Sequence, residues 1–179
     1  GVNAGDSIAS GGNYNTVIGD ESGTAITTGD ENTLVGYVSG DAITTGIRNV
    51  AIGSYALSTN VAGDQSVAVG HGALFSQNPS GNADMDNTAV GHDAGNQITT
   101  GTGNTLVGSI VGDALTTGSN NMAYGYQALS ADTQGSKSVA MGQGALFNQN
   151  FTTATDVFNT ALGHAAGNQI TTGIHNTII

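Results

Sequence analysis

The chain is written in repeats, and any fold has to accommodate their period. The stretch NTAVGHDAGNQITTG, from Asn87 to Gly101, returns as NTALGHAAGNQITTG from Asn159 to Gly173. Aligning on its first residue gives starts at Asn15, Asn32, Asn49, Ser66, Asn87, Asn104, Asn121, Ser138, Asn159 and Asn176. Three short copies (steps of 17) are followed by one long copy (a step of 21), and the series then repeats. The resulting superperiod carries Asn15 onto Asn87 and Asn87 onto Asn159. A short fixed period sustained throughout marks a repeat architecture, in which each copy packs on its neighbours. Upstream, Gly1 to Asn15 reads as a degenerate first copy, with Ile8 and Ala9 in place of the later apolar pair.

Each copy opens with a polar residue, three mostly β-branched or apolar residues, and a glycine. That glycine is present in all nine complete copies, at Gly19, Gly36, Gly53, Gly70, Gly91, Gly108, Gly125, Gly142 and Gly163. Three β-prone residues stopped by an unvarying glycine describe a very short strand, followed by a turn that needs positive φ or close backbone approach. Helix is disfavoured, because glycine and β-branched residues fall in every turn of a helical reading.

The second half of the copy solves one packing problem in two ways. Where the ninth position is glycine (Gly23, Gly40, Gly95, Gly112, Gly167), the twelfth is Ile26, Ile43, Ile98, Leu115 or Ile170. Where the ninth is Leu57, Leu74, Leu129 or Leu146, the twelfth is Asn60, Gln77, Asp132 or Gln149. One large aliphatic side chain per copy, from either place, is what a continuous core of fixed volume demands. The expected fold is therefore all-β: a parallel β-solenoid, or β-roll, of about ten short rungs forming one repeat domain over residues 1–179. At ~4.8 Å per rung it would be a rod of roughly 48 Å.

Within the strands, period-two alternation sends Val67 and Val69 to one face and Ala68 to the other. The Ala68 column reads Val17, Leu34, Ala51, Ala68, Ala89, Leu106, Ala123, Ala140 and Ala161, with no charge. A strand apolar on both faces is covered on both, so one face is expected to line the core and the other a contact between chains.

Composition excludes several classes. Thirteen acidic residues against Arg48 and Lys137 give a net charge of -11, which repels nucleic-acid phosphates and anionic membranes. No apolar run approaches the ~20 residues that span a bilayer. Without cysteine there is neither a disulfide framework nor a thiolate metal site. Catalytic signatures such as GxSxG, HExxH or a P-loop are missing, and no cofactor is called for. The chain starts at Gly1 and stops in mid-repeat at Asn176 to Ile179 without a polar cap. The expectation is a fragment of a longer fibre, whose uncapped end would otherwise stack on another molecule.

The segments NTAVGHDAG, SVAVGHGALF, SVAMGQGALF and YGYQALS resemble the head repeats of trimeric autotransporter adhesins, and equally the related repeats of phage tail fibres. That resemblance implies a left-handed parallel β-roll, three chains packed side by side, and a structural or adhesive role in an extracellular fibre. The partners it implies are two further copies and a host cell-surface glycan or protein. Both copy lengths of this chain, the short and the long, exceed the one usual in that family. Two readings from other classes stay open: an ice-binding solenoid, suggested by the pairs Thr27 and Thr28, Thr44 and Thr45, Thr99 and Thr100, Thr116 and Thr117, Thr171 and Thr172, and a glycan-cleaving fibre domain.

Candidate sites cluster at the two long copies. Their insertions, Ser76 to Asn87 and Asn148 to Asn159, recur at the superperiod and would bulge from one side of the rod, with Phe75, Asn82, Phe147, Phe151 and Phe158 as surface-contact residues. The bland reading is a longer turn whose phenylalanines cover the core edge. Oxygen ligands at alternate positions, Asp84 and Asp86 among them, are compatible with a cation, although no glutamate stands at the distance an EF-hand requires. His71, His92 and His164 hold the sixth position of their copies, His71 and His92 in successive ones; if that column faced a threefold axis, three imidazoles could ring an ion, whereas Tyr37, Ser54, Gln143 and Tyr126 in the same column point to a variable turn position. No metal site is assigned from these patterns.

Overall fold

The computed structural model describes residues 1–8 and 11–179 and is an all-β parallel solenoid. Ten strands stack in chain order into one parallel sheet: β1 (Thr16–Ile18), β2 (Thr33–Val35), β3 (Val50–Ile52), β5 (Val67–Val69), β7 (Thr88–Val90), β8 (Thr105–Val107), β9 (Met122–Tyr124), β11 (Val139–Met141), β13 (Thr160–Leu162) and β14 (Thr177–Ile178). Two small parallel sheets flank it, β4 (Gly63–Asp64) with β6 (Ala83–Asp84) and β10 (Gly135–Ser136) with β12 (Thr155–Asp156). Register follows the repeat: Thr16 pairs with Thr33, Ala68 with Ala89 and Ala123 with Ala140, so equivalent residues lie directly above one another.

The middle residue of each strand points inward. Leu34, Ala51, Ala68, Ala89, Leu106, Ala123, Ala140 and Ala161 are buried, so the Ala68 face is the one that lines the core. The exchange between ninth and twelfth positions has a direct geometric basis. A Cβ on Gly40 would lie 2.8 Å from Leu34 Cδ2 and 3.0 Å from Ile43 Cδ1, because the twelfth-position isoleucine already fills that space. Where the ninth position is leucine, the strand supplies alanine: Leu57, Leu74, Leu129 and Leu146 are buried over Ala51, Ala68, Ala123 and Ala140. The N-terminal segment obeys the same rule. A Cβ on Gly5 would approach Ile8 Cδ1 at 2.9 Å, and Gly5 N donates to Ser22 O, so Gly5 and Ile8 play the ninth and twelfth positions of a partial rung. Ala9, the other half of the expected apolar pair, lies outside the described residues.

Each rung turns through residues in the left-handed region. The invariant glycines have φ of 130 to 142°, and the ninth position has φ of 50 to 63° whether glycine or leucine occupies it. Two further positions have positive φ, with glycine to announce it only at Gly72, Gly144 and Gly103: the seventh, as in Val38, Tyr55 and Ile110, and the last, as in Arg48, Asn120 and Phe158. β-Branched Val38 and Ile110 are costly there. Hydrogen bonds to the preceding rung hold them, Val38 N to Asp20 O at 3.0 Å and Ile110 N to His92 O at 2.8 Å.

A polar ladder runs beside the apolar core. Asn49 Nδ2 donates to Gly63 O at 2.8 Å within its own rung, and Asn49 N and Nδ2 both donate to Asn32 Oδ1, at 3.0 and 3.2 Å. Asn104 repeats the arrangement on Asn87 and Gly118, and Asn176 donates in the same way to Asn159. At Ser66 and Ser138 the column lacks an amide, and a buried glutamine supplies it. Gln77 Nε2 donates to Ser66 Oγ at 3.1 Å while its Oε1 accepts from Asn87 Nδ2 at 3.0 Å; Gln149 does the same between Ser138 and Asn159. Among the described residues, no buried side-chain nitrogen or oxygen lacks a partner, as a polar core network requires.

Candidate functional site

The two long rungs are built as lobes with small cores of their own. Met85 and Val157 are buried at equivalent places, and Phe151 is also buried. Its N–H donates to Asp132 Oδ1 at 3.0 Å, and its carbonyl accepts from Gln134 N and Thr133 Oγ1, both at 2.8 Å, which ties the lobe to the preceding rung. Phe75 and Phe147 are half-buried. Phe158 is exposed, stacked on His175 at 5.2 Å and 13°, with Lys137 Nζ 5.2 Å from its ring. Asn82 is exposed and accepts from Thr45 Oγ1 at 3.0 Å. The contact residues expected from sequence therefore divide between buried, half-buried and exposed positions.

The acidic residues of the first insertion do not meet the histidines. Asp84 accepts from Gln65 Nε2 and stands opposite Asp64 in the flanking sheet, while Asp86 is exposed at the last turn position, with φ 51°. Asp64 is buried, and that burial, reinforced by the charge of Asp84, pushes its carboxyl above the usual range, although Ile47 N donates to it at 2.7 Å. Burial likewise raises Asp41, against a 2.8 Å bond from Ser58 Oγ. The threonine pairs use hydroxyls to hold the stack: Thr27, Thr44, Thr99 and Thr116 each donate to a carbonyl of the next rung, Thr116 at 2.9 Å to Thr133 O.

The turn flank of rungs two to five carries a different cluster. Tyr37 and Tyr55 meet edge to face at 5.4 Å, Tyr55 approaches His71 and Phe75, and His71 stacks on His92 at 5.3 Å with 12° between the ring planes. Beneath the imidazoles lies Asp93, with His71 Nδ1 3.8 Å from Oδ1 and His92 Nδ1 3.3 Å from Oδ2. Tyr55, His71, Gly72, Phe75, Asp93, Asn96 and Gln97 line a surface groove of about 370 Å³. His71 and His92 thus come together as their shared column position implies. Asp93, which completes the cluster, is invisible to a reading of that column alone; its place directly after His92 is the available signal.

No family model, no curated protein and no solved structure matches this chain.

Proposed function

We propose that this chain is a structural and adhesive segment of an extracellular fibre, assembled as a homotrimer of side-by-side solenoids like the adhesin and tail-fibre repeats it resembles. One observation carries the reading: the outward face of the ten-stranded sheet is mostly apolar, with threonine as its only polar residue, and uncovered. Ile18, Ile52, Met122, Tyr124, Met141 and Leu162 are exposed there, and Val35, Val50, Val67, Val69, Val90, Val107 and Val139 are half-buried. Ten rungs of three residues span roughly 48 by 10 Å, so the stripe, threonines included, covers about 480 Å², in the range of the largest patch on a monomer, which is often functional. The acidic residues lie elsewhere, in turns and in the flanking sheets, where they discourage promiscuous association. Side-by-side packing would make a stiff rod and leave the turn flanks, with their aromatic groove, facing a host glycan or protein.

Sedimentation equilibrium tests the assembly. The expected mass is three times 17.7 kDa, falling to one chain in a Val69→Lys, Val107→Lys double variant that keeps its β signal. A folded wild-type monomer at 17.7 kDa would refute the reading.

A second reading is favoured by the threonines on the same face. Thr16, Thr33, Thr88, Thr105, Thr160 and Thr177 fall in one column, interrupted by Val50, Val67, Met122 and Val139. A regular threonine array is the basis of an ice-binding surface, and thermal hysteresis from a monomeric protein would select that function over the fibre.

A further inference from the structure

We propose that His71, His92 and Asp93 form a binding site for a divalent transition-metal ion of the zinc or nickel class on the flank of the solenoid. Three donors, a nitrogen from each imidazole and a carboxylate oxygen, lie within 4.8 Å of one another. They reach that arrangement because the repeat stacks the sixth positions of rungs four and five, while the left-handed turn at Asp93, φ 52°, carries its carboxylate back toward both rings. The two rungs are locked by a backbone bond from Asp93 N to His71 O at 2.9 Å, and Asn96 Nδ2 donates to Asp93 Oδ1 at 3.3 Å, orienting the carboxylate. Gly72 leaves the room: a Cβ there would overlap Asp93 Oδ1.

The donor set decides the class of ion. Two imidazoles and one carboxylate suit zinc, nickel or copper, whereas magnesium and calcium take oxygen cages. Zinc bonds of about 2.0–2.2 Å place tetrahedral donors about 3.4 Å apart. Closing from 4.8 Å requires χ rotations that break the ring stack so that the two nitrogen lone pairs converge, and the exposed histidines have room to make them. Three protein ligands leave at least one position for water or an outside ligand, and the groove walled by Tyr55 and Phe75 adjoins it.

The test titrates the full 179-residue chain with zinc chloride and nickel chloride, by calorimetry and by long-range ¹H–¹⁵N spectra of the histidine rings. Expected is one saturable site per chain with shifts at His71 and His92, and no response to magnesium chloride. His92→Ala and Asp93→Asn should each weaken zinc at least about tenfold, the loss that even an outer-shell partner produces at metal sites. His164→Ala should leave binding unchanged. Gly72→Ala keeps all three donors but displaces the carboxylate, and should weaken binding too. No saturable binding, shifts confined to His164 and His175, or affinity undiminished in both His92→Ala and Asp93→Asn would overturn the assignment.

Discussion

Replacing Gly108 by alanine should damage the stack far more than replacing Gly144, although both glycines have positive φ, 142° and 65° respectively. At Gly108 the new Cβ would lie 2.5 Å from Gly125 O and 2.7 Å from its carbonyl carbon, in the rung above. Comfortable carbon contacts begin near ~3.5 Å, so the rungs would have to part by the better part of ~1 Å on a ~4.8 Å spacing. That movement strains the bonds that cross the gap, Gly125 N to Val107 O at 2.8 Å and Gln127 N to Ser109 O at 3.1 Å. Backbone strain of ~1–3 kcal/mol, plus ~1 kcal/mol for each weakened hydrogen bond, places the total near ~3–5 kcal/mol. At Gly144 nothing lies within 4 Å, and its φ is close to the one that Tyr55 and Gln127 adopt at the same position of their rungs. Alanine there should cost only about 1 kcal/mol. Thermal unfolding followed by circular dichroism at fixed concentration would read this as a midpoint lowered by roughly 6–20 °C for Gly108→Ala and ~2–4 °C for Gly144→Ala. Because a stack fails by rungs, Gly108→Ala should also split the transition into two steps. Equal midpoints would refute the claim that interrung approach, rather than φ alone, fixes the glycine.

Three other outcomes follow from the same geometry. Gln77→Leu removes the amide that joins Ser66 to Asn87 and should cost ~1–3 kcal/mol by leaving buried polar groups short of a partner; chemical denaturation checks it, with Gln97→Leu on the exposed flank as the neutral control. Asp64 has a carboxyl raised by burial, so its contribution is fully present below about pH 3.8 and is lost as pH rises through the raised folded value. Asp64→Asn, whose amide oxygen can still accept from Ile47 N, should therefore stabilise the protein at pH 7 and not at pH 3.5, and melting curves at the two pH values would show it. Ile110→Asn should raise the melting midpoint, since asparagine adopts φ 55° with less strain than a β-branched residue.

How far the structure is legible depends on whether a residue type announces its own constraint. The glycine at position five does, and so does the exchange of Leu57 for Ile43 across positions nine and twelve, because a constant core volume leaves a visible correlation. The left-handed turns at Val38, Tyr55, Arg48 and Phe158 do not. Nothing in those side chains signals positive φ, which at Val38, Tyr55 and Arg48 is held by backbone hydrogen bonds to the neighbouring rung. The histidine cluster is half legible: stacking brings His71 onto His92, but the carboxylate reaches them from position seven, and the backbone twist that allows this is itself one of the silent turns.

The same logic explains why the longer rungs begin with serine. In a short rung the first-position asparagine donates to the carbonyl fourteen residues on, as Asn49 does to Gly63 and Asn121 to Gly135. In the long rungs the residues at that distance, Ser80 and Thr152, are carried out into the exposed lobe. An asparagine at 66 or 138 would bury an amide with no such acceptor, at a cost of ~1–3 kcal/mol. Serine demands less, and the leucine at position nine frees position twelve from core duty, so that Gln77 and Gln149 can turn inward and carry the ladder across to Asn87 and Asn159. Insertion, serine and glutamine are thus three parts of one change, made on the leucine-at-nine pattern that Leu57 and Leu129 also use in short rungs, and the lobes on the rod exist without interrupting either the apolar core or the polar one.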